Sequence, residues 1–442
     1  MTGRDGFKDR TRLAAALETL QDRVRPVERT ESVPVRAADG RVLAAAVSPA
    51  RPVPHYDRAA MDGFAVVAES TFGATAASPA TFDLAAPSED SASGVDDSAS
   101  DDDPATDAPR VDGRTAVPVH TGSELPAGAD AVVMVEDTTT RGERVEVHAS
   151  VTRGENVSPA GEDVPGDAAL FDAGRRLSPS DLALCRSVGA AAVEVYDRPT
   201  VDVIPTGEEL VPADPDPGEV VETNALTVSR YVDRWGGVPR RRDVVTDDRS
   251  ALRAAIERGL DADVVVTTGG SSVGERDLVA DVVADRGHLD HHGLAIKPGH
   301  PVGLGVVEDT PVLLLPGYPV SCVVTAVQLL QPAVRRAARL PSTPPRTTTA
   351  TLSRKLPSDA GVRTFARVRL EPTDEGEDAA GSDDVEATAG GDDASLTRCA
   401  VPLRTGGAGV LSSVTEADGW VVVPESVEGL DSGAVVTVEH WE

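Results

Sequence analysis

From Val264 the chain reads VVVTTGGSSVGERD, an apolar run that empties into a glycine- and serine-rich turn and then opens a helix. A strand apolar at successive positions must be buried on both faces. That environment belongs to parallel strands joined by crossover helices. The flanking sequence repeats the pattern. TVDVIPTG reads as a strand ending in a glycine turn. Asn224 is expected to cap a helix whose Val228, Tyr231, Val232 and Trp235 share one face. A second helix is predicted over Arg249 to Arg258, a third carries Leu278, Val279, Val282 and Val283, and PVLLLPG is a further buried strand. It feeds a long helix for which Ser321 is the expected cap. The spacing therefore predicts an α/β domain with a central parallel sheet over residues 199–340.

Outside that region the texture is different. Leu13, Ala16, Leu17, Leu20 and Val24 recur at helical spacing. Short alternating pieces then follow (FAVVAE, AVPVHTG, AVVMVED, RVEVHAS), and after Pro341 come RTFARVRL, TRCAVPL, WVVVPE and AVVTVEHW. This predicts an N-terminal linker region over 1–55 plus 165–198, an inserted β-rich domain over 56–164, and a small C-terminal β domain over 341–442. Two acidic, small-residue tracts, 87–112 and 372–393, have almost nothing to bury and are expected to be solvated insertions.

Charge narrows the partners. The 442 residues carry 73 acidic and 42 basic side chains, a net charge of −31, and lysine occurs only at Lys8, Lys297 and Lys355. A diffusely acidic, lysine-poor surface suits a halophile's cytoplasmic protein, because high salt screens self-repulsion. No basic stripe is available for duplex nucleic acid. No apolar run reaches the length of a membrane span, and the polar N-terminus does not resemble a secretory signal. Cys185, Cys322 and Cys399 are far apart and read as reduced, semi-buried side chains.

Chemistry concentrates at strand ends, where open α/β sheets bind ligands. Gly269, Gly270 and Gly274 allow backbone N–H groups to approach a ligand, and Ser271 and Ser272 add hydroxyls at a helix N-terminus, which favours an anion. The loop fits neither the Walker pattern nor GxGxxG. Asp277, Asp247 with Asp248, and Glu208 with Glu209 follow three apolar strands. Carboxylates beside an anion site call for a bridging cation of the magnesium type, although each alone also reads as a helix cap or surface charge. Lys297, in AIKPGHPVG, is a point charge suited to an oxyanion, and His300 follows it. His288, His291 and His292 read as a surface loop. Pro316 and Pro319 stiffen the turn PGYP around Tyr318. In the N-terminal half, AMDGFA and AGED set Asp62 and Asp163 beside glycines, the pattern of turn acids.

AAMDGFAV, HTGSELPAGADAVVMVED, AGEDV, PTGEEL, TTGGSSVGERD, AIKPGHPVG and LPGYPVS, in this order, resemble the molybdopterin molybdenumtransferases, relatives of the C-terminal domain of gephyrin. The resemblance spans nearly the whole chain apart from the acidic tracts. It implies an elongated homodimer with a molybdopterin-binding α/β domain, β-rich N-terminal modules of which 1–55 plus 165–198 serves dimerisation, and a C-terminal β-barrel. It also implies that adenylated molybdopterin and molybdate are substrates, that AMP is released with Mg²⁺ assistance, and that cofactor passes to molybdo- or tungstoenzymes. By the same resemblance Asp62, Asp163, Asp247, Asp277 and Lys297 are catalytic, with Asp247 and Asp277 on the metal. Thr121, Glu209, the Gly/Ser loop, Pro316, Pro319 and Arg363 would hold substrate, with Ser413 a further oxyanion contact. Asp62 and Asp163 would face the α/β domain of the other subunit.

Three positions depart from the family pattern. Ser158-Pro159-Ala160 stand where basic residues often precede GED, His300 replaces a lysine, and Tyr318 replaces an asparagine. Two cations are thus absent from the anion path, which implies weaker anion binding or a different oxyanion such as tungstate. Two other readings compete with metal insertion: an adenylyltransferase, which would consume ATP, and a non-catalytic scaffold, which would do neither reaction.

Overall fold

The computed structural model describes residues 10–85, 110–270, 277–372, 398–403 and 409–442. The chain forms two compact units, one over Ser32–Val195 and one combining Met1–Glu31 with Tyr196–Glu442. Nearly all of the two acidic tracts, and with them the expectation of solvated insertions, lies outside the described residues.

The larger unit is built around a six-stranded sheet. Its elements are β1 (Thr200–Pro205), α1 (Asn224–Arg234), β2 (Val238–Arg241), α2 (Arg249–Gly259), β3 (Val264–Thr268), α3 (Leu278–Arg286), β4 (Gly287–His292), β5 (Gly303–Val307), β6 (Thr310–Leu315) and α4 (Pro319–Thr325). The order across the sheet is β2-β1-β3-β6-β5-β4. The first four strands run parallel, with Val203 opposite Val266 and Val266 opposite Leu313. Successive residues feed two different cores. Val264 and Val266 join α1, α4 and the N-terminal helix Leu13–Arg23 on one side. Val265 packs with Leu252 and Ile256 of α2 and Val279, Val282 and Val283 of α3 on the other. Burial on both faces is why these strands carry no alternation.

The sheet is not parallel throughout. β5 runs antiparallel to β6, and β4 antiparallel to β5. Only Glu308 and Asp309 separate β5 from β6, too short a link for a crossover, and Glu308 sits at φ 54° in the turn. The edge strand β4 is GHLDHH, so His288, His291 and His292 lie on a strand rather than in the expected loop. A polar edge strand offers no apolar period to read.

Two expected caps are displaced by one residue or more. Thr223 occupies the cap position of α1, and Asn224 is inside the helix, its amide donating to the Gly317 carbonyl at 2.6 Å. Pro319 takes the first position of α4, so Tyr318 precedes the helix and Ser321 is buried in its first turn. Asp248 and Asp277 do cap α2 and α3. The helix begun by α4 passes through Ala326–Leu330 and continues as Gln331–Ala337.

The C-terminal strands β7 (Arg346–Leu352), β8 (Arg363–Pro372), β9 (Arg398–Pro402), β10 (Gly419–Val423) and β11 (Val435–His440) close into a five-stranded barrel, β8-β9-β7-β11-β10 and back to β8. Inward residues such as Leu352, Val368, Val421 and Val438 form its core. Outward Phe365 and Trp420 instead join the core beneath the α/β sheet, their rings edge to face at 5.3 Å. Replacing Trp420 with Ala would cost about 3–5 kcal/mol.

The smaller unit holds a six-stranded sheet ordered Ala131–Met134, Gly63–Val66, Thr115–Val119, Ala80–Leu84, Arg144–Val147 and Thr138–Arg141. Phe64, Phe82, Val133 and Val145 lie in its core. Gly63, directly after Asp62, has no room for a side chain, since a Cβ there would lie 1.9 Å from the Val133 carbonyl oxygen. Among the described residues all three cysteines are free, and no helix is long and apolar enough to cross a membrane.

Candidate functional site

In the larger unit the carboxyl ends of β1, β3 and β6 converge. Thr206 N–H donates to the Thr268 carbonyl, and Gly269 N–H to that of Leu315. Gly269 (φ 106°) and Gly270 (φ 67°) occupy left-handed backbone, and a Cβ on Gly269 would lie 2.2 Å from the Thr206 carbonyl oxygen. Gly317, between Pro316 and Pro319, packs against Gly269. Glycine is thus required where these turns approach one another. Among the described residues the buried hydroxyls of Thr206 and Thr268 have no hydrogen-bond partner, which suits them to a polar ligand. Neither threonine stands out in the sequence, because each reads as the last residue of an apolar strand. Ser271, Ser272 and Gly274 lie outside the described residues.

Two carboxylate groups flank the junction. Thr206 bridges Val245 in parallel, which brings Glu208 and Glu209 to Asp247. Desolvation raises the Asp247 pKa, and the charges of Glu209 and then Glu208 raise it further. Asp277 accepts from the Ala280 N–H at 3.1 Å and pairs with His292 Nε2 at 2.9 Å, with its side chain only 8% exposed. The edge strand that sequence reading missed therefore supplies a partner to a residue that it found. Among the described residues no three His, Cys, Asp or Glu side chains group closely enough to hold a metal ion by themselves.

Lys297 reaches this unit by another route. The two-residue strand Ile296–Lys297 pairs in parallel with the start of β8, Ile296 opposite Arg363 and Lys297 opposite Thr364. Lys297 Nζ meets Asp359 Oδ2 at 2.9 Å, and Arg363 Nε donates to Glu425 Oε1 at 3.2 Å. Lys297, its hydrogen bond first, holds the Asp359 carboxyl below its ordinary range, with Arg10 adding to the effect. Burial, then Arg10, lowers the His300 pKa, which disfavours a charged ring at this position. Ser413 is buried and its hydroxyl donates to the Val410 carbonyl.

The smaller unit assembles its own group. Asp62 Oδ1 accepts from the Thr121 N–H at 2.7 Å and from the Thr121 hydroxyl at 3.0 Å. These two bonds, with His120 nearby, hold the Asp62 carboxyl below its ordinary range. The Arg58–Ala59 strand pairs with Val157–Ser158, and Arg58 also bridges Glu124. Asp163, exposed, lies in the turn that follows Ser158, its N–H donating to the Val53 carbonyl. Arg58 Nε donates to the Ser158 hydroxyl at 3.4 Å, placing a cation beside the segment that lacks its own. Its position in a two-residue strand gave no sequence signal.

These features define an α/β domain with a glycine-lined, polar junction at the carboxyl ends of its strands, tied to a β-barrel. Three family models match in succession: the MoeA N-terminal region (domains I and II) over residues 11–189, the molybdopterin binding domain over 202–336, and the MoeA C-terminal region (domain IV) over 394–441. A molybdopterin biosynthesis protein of Methanocaldococcus jannaschii is 30% identical over 95% of this chain and 94% of its own length. Molybdopterin molybdenumtransferase 2 of Mycobacterium tuberculosis is 33% identical over 77% of this chain and 83% of its own. The crystal structure of the molybdopterin biosynthesis MoeA protein of Pyrococcus horikoshii superposes with a TM-score of 0.76 at 31% identity, covering 98% of this chain and all of that one (100%). The chain belongs to the MoeA family of molybdopterin molybdenumtransferases.

Proposed function

We propose that the chain inserts molybdate or tungstate into adenylated molybdopterin and releases AMP, acting as a homodimer in the cytoplasm of a salt-adapted cell. The observation that carries the reading is the junction of Thr206, Gly269, Gly270 and Gly317 with the crowded carboxylates of Asp247 and Glu209 beside it. The two buried hydroxyls, unpartnered among the described residues, and the glycine turns suit a polar, anionic ligand. Desolvation first, and then repulsion from Glu209 and Glu208, raises the Asp247 pKa, and a cation bound there would relieve both.

The Asp247 carboxylate, crowded by Glu209 and Glu208, suits Mg²⁺, which commonly binds through one or two carboxylates and completes its shell with waters and substrate phosphate oxygens. Asp247 and Asp277 would hold it, and when bound it would supply charge neutralisation at the phosphates. Lys297 would meet anionic oxygen in exchange for Asp359. Arg363 would add a second cation beside it, and Pro316 and Pro319 would fix the turn against which the pterin packs. Cleaving the pyrophosphate link with water leaves AMP and the pterin phosphate. Such a reaction depends on positioning and charge stabilisation more than on a strong nucleophile. Asp62, Thr121 and Asp163 would complete the site from the other subunit, and the finished cofactor would pass to molybdo- or tungstoenzymes. The acidic, lysine-poor composition supports the saline setting.

The test is AMP release from adenylated molybdopterin with Mg²⁺ and either oxyanion, run beside Asp277→Ala. Oxyanion-dependent release by the wild type alone is expected, and the better oxyanion names the metal. ATP consumption in place of AMP release would identify an adenylyltransferase. Tight pterin binding with no release would leave a carrier.

A further inference from the structure

At the far end of the helix that begins at Pro319, roughly 28 Å along its axis, the larger unit holds a cavity of about 470 Å³. Three arginines, Arg335, Arg336 and Arg339, line it, with no aspartate or glutamate among the lining residues. In a chain with 73 acidic side chains and 42 basic ones, that is a local reversal of charge. Leu17, Leu20, Pro332 and Leu340 form its apolar wall, and Ser342 and Thr343 add hydroxyls.

The guanidinium groups are fixed before any ligand arrives. Arg336 Nε donates to the Val24 carbonyl at 2.8 Å, and Arg339 Nε to that of Val27 at 2.7 Å. Arg335 donates from Nε and Nη2 to the Pro341 carbonyl, at 2.9 and 2.7 Å. Arg339 also lies over the Tyr196 ring, 4.1 Å from its centroid. Arginine gathered at a helix C-terminus often serves only to cap the last carbonyls. Here backbone N–H groups already do so, Ala338 to Val334, Arg339 to Arg336 and Leu340 to Arg335. Moreover Arg339 sits at φ 58°, the left-handed position after the helix where glycine is favoured, and an arginine there costs backbone energy that glycine would avoid. Among the described residues neither Arg336 nor Arg339 forms an ion pair with a carboxylate.

We propose that this cavity is a second ligand site, for a small organic phosphate ester. Its phosphate would meet the pinned guanidinium groups, which match a dianion's oxygens, and its apolar part would lie on Leu17, Leu20 and Pro332. The volume falls within the range of small-molecule sites. The inference does not depend on the reaction proposed at the strand ends.

Fluorescence titration of the full-length protein with naphthyl phosphate tests it, with naphthol and inorganic phosphate as controls. Naphthyl phosphate is expected to bind at least about tenfold more tightly than either control. Arg339→Gly removes one cation, and relief of the left-handed backbone offsets the lost bond to Val27 and stacking on Tyr196, so it should remain folded and bind about tenfold more weakly. Leu17→Trp, which fills the wall without touching charge, should abolish binding, and Asp277→Ala should leave it unchanged. Equal affinity for inorganic phosphate would overturn the ester and leave a bare phosphate site. No binding, or binding indifferent to both pocket variants, would overturn the site altogether.

Discussion

Asp62 and Asp247 are both acids placed beside glycine turns, and their surroundings move them in opposite directions. Asp62 has its charge satisfied by the protein itself, through the N–H and hydroxyl of Thr121. Asp247 is left with desolvation and two neighbouring carboxylates, Glu209 and Glu208, all of which oppose its charge. The first arrangement favours the charged carboxylate and holds it in one orientation. The second, among the described residues, holds a charge opposed by its surroundings, which is the condition that the proposed cation would relieve. A residue type and a neighbouring glycine therefore do not define a role; the donors around the carboxylate do.

The largest expected effect follows from removing the unsatisfied side. Asp247→Asn or Asp277→Ala should lower AMP release by about a hundredfold or more, because the phosphate charge loses its neutralising partner. Calorimetric titration with Mg²⁺ should show the same variants losing metal affinity. Full activity in Asp247→Asn would erase the distinction between the two acids.

Asp62→Asn is expected to cost less, about ten- to a hundredfold, since Asn retains the shape but not the charge. Mixing Asp62→Ala with Asp277→Ala protein sharpens the point. If the proposed homodimer shares its sites, random exchange yields heterodimers with one intact site each, and the mixture recovers about a quarter of wild-type activity. No recovery after demonstrated exchange would place both acids in one chain's site.

How much of this was legible differs between the two groups for a physical reason. The apolar run of β3, the glycines after it and the acids at strand ends announce themselves locally, because burial on two faces and left-handed turns each demand particular residues. The partners do not. Asp359 reaches Lys297 across 62 positions and Thr121 reaches Asp62 across 59, and no periodicity encodes such pairings. The edge hairpin was lost because GHLDHH is polar and its neighbour β5 is rich in glycine. Ser321 was misplaced as a cap because Pro319, rather than a side-chain acceptor, starts the helix.

Thr121→Val tests the satisfied side more finely. It deletes one of the two bonds to Asp62 and leaves the backbone N–H, so activity should fall only about three- to tenfold. Both bonds stabilise the charged carboxylate, and losing one moves its pKa upward. The acid limb of the pH–rate profile should shift to higher pH, whereas a merely structural role would lower activity equally at every pH.

The smallest effect concerns stability and should reverse with conditions. A folded-state pKa above the unfolded one means that ionised Asp247 destabilises the fold at neutral pH, and that this penalty fades as the pH falls through the folded value. Without Mg²⁺ at pH 7, Asp247→Asn should therefore raise Tm by about 1–2 °C, a modest gain because the side chain is partly solvated. In acid the wild-type carboxyl is already neutral and the two proteins should melt together. Saturating Mg²⁺ should invert the neutral-pH order, because the cation stabilises the wild type by mass action and finds less purchase on the variant. Asp62→Asn should show the opposite baseline, melting lower at neutral pH and converging with the wild type only at low pH, since its folded pKa lies below the unfolded one. If both variants moved Tm in the same direction at pH 7, the contrast between a satisfied and a waiting carboxylate would fail on thermodynamic grounds, whatever their activities.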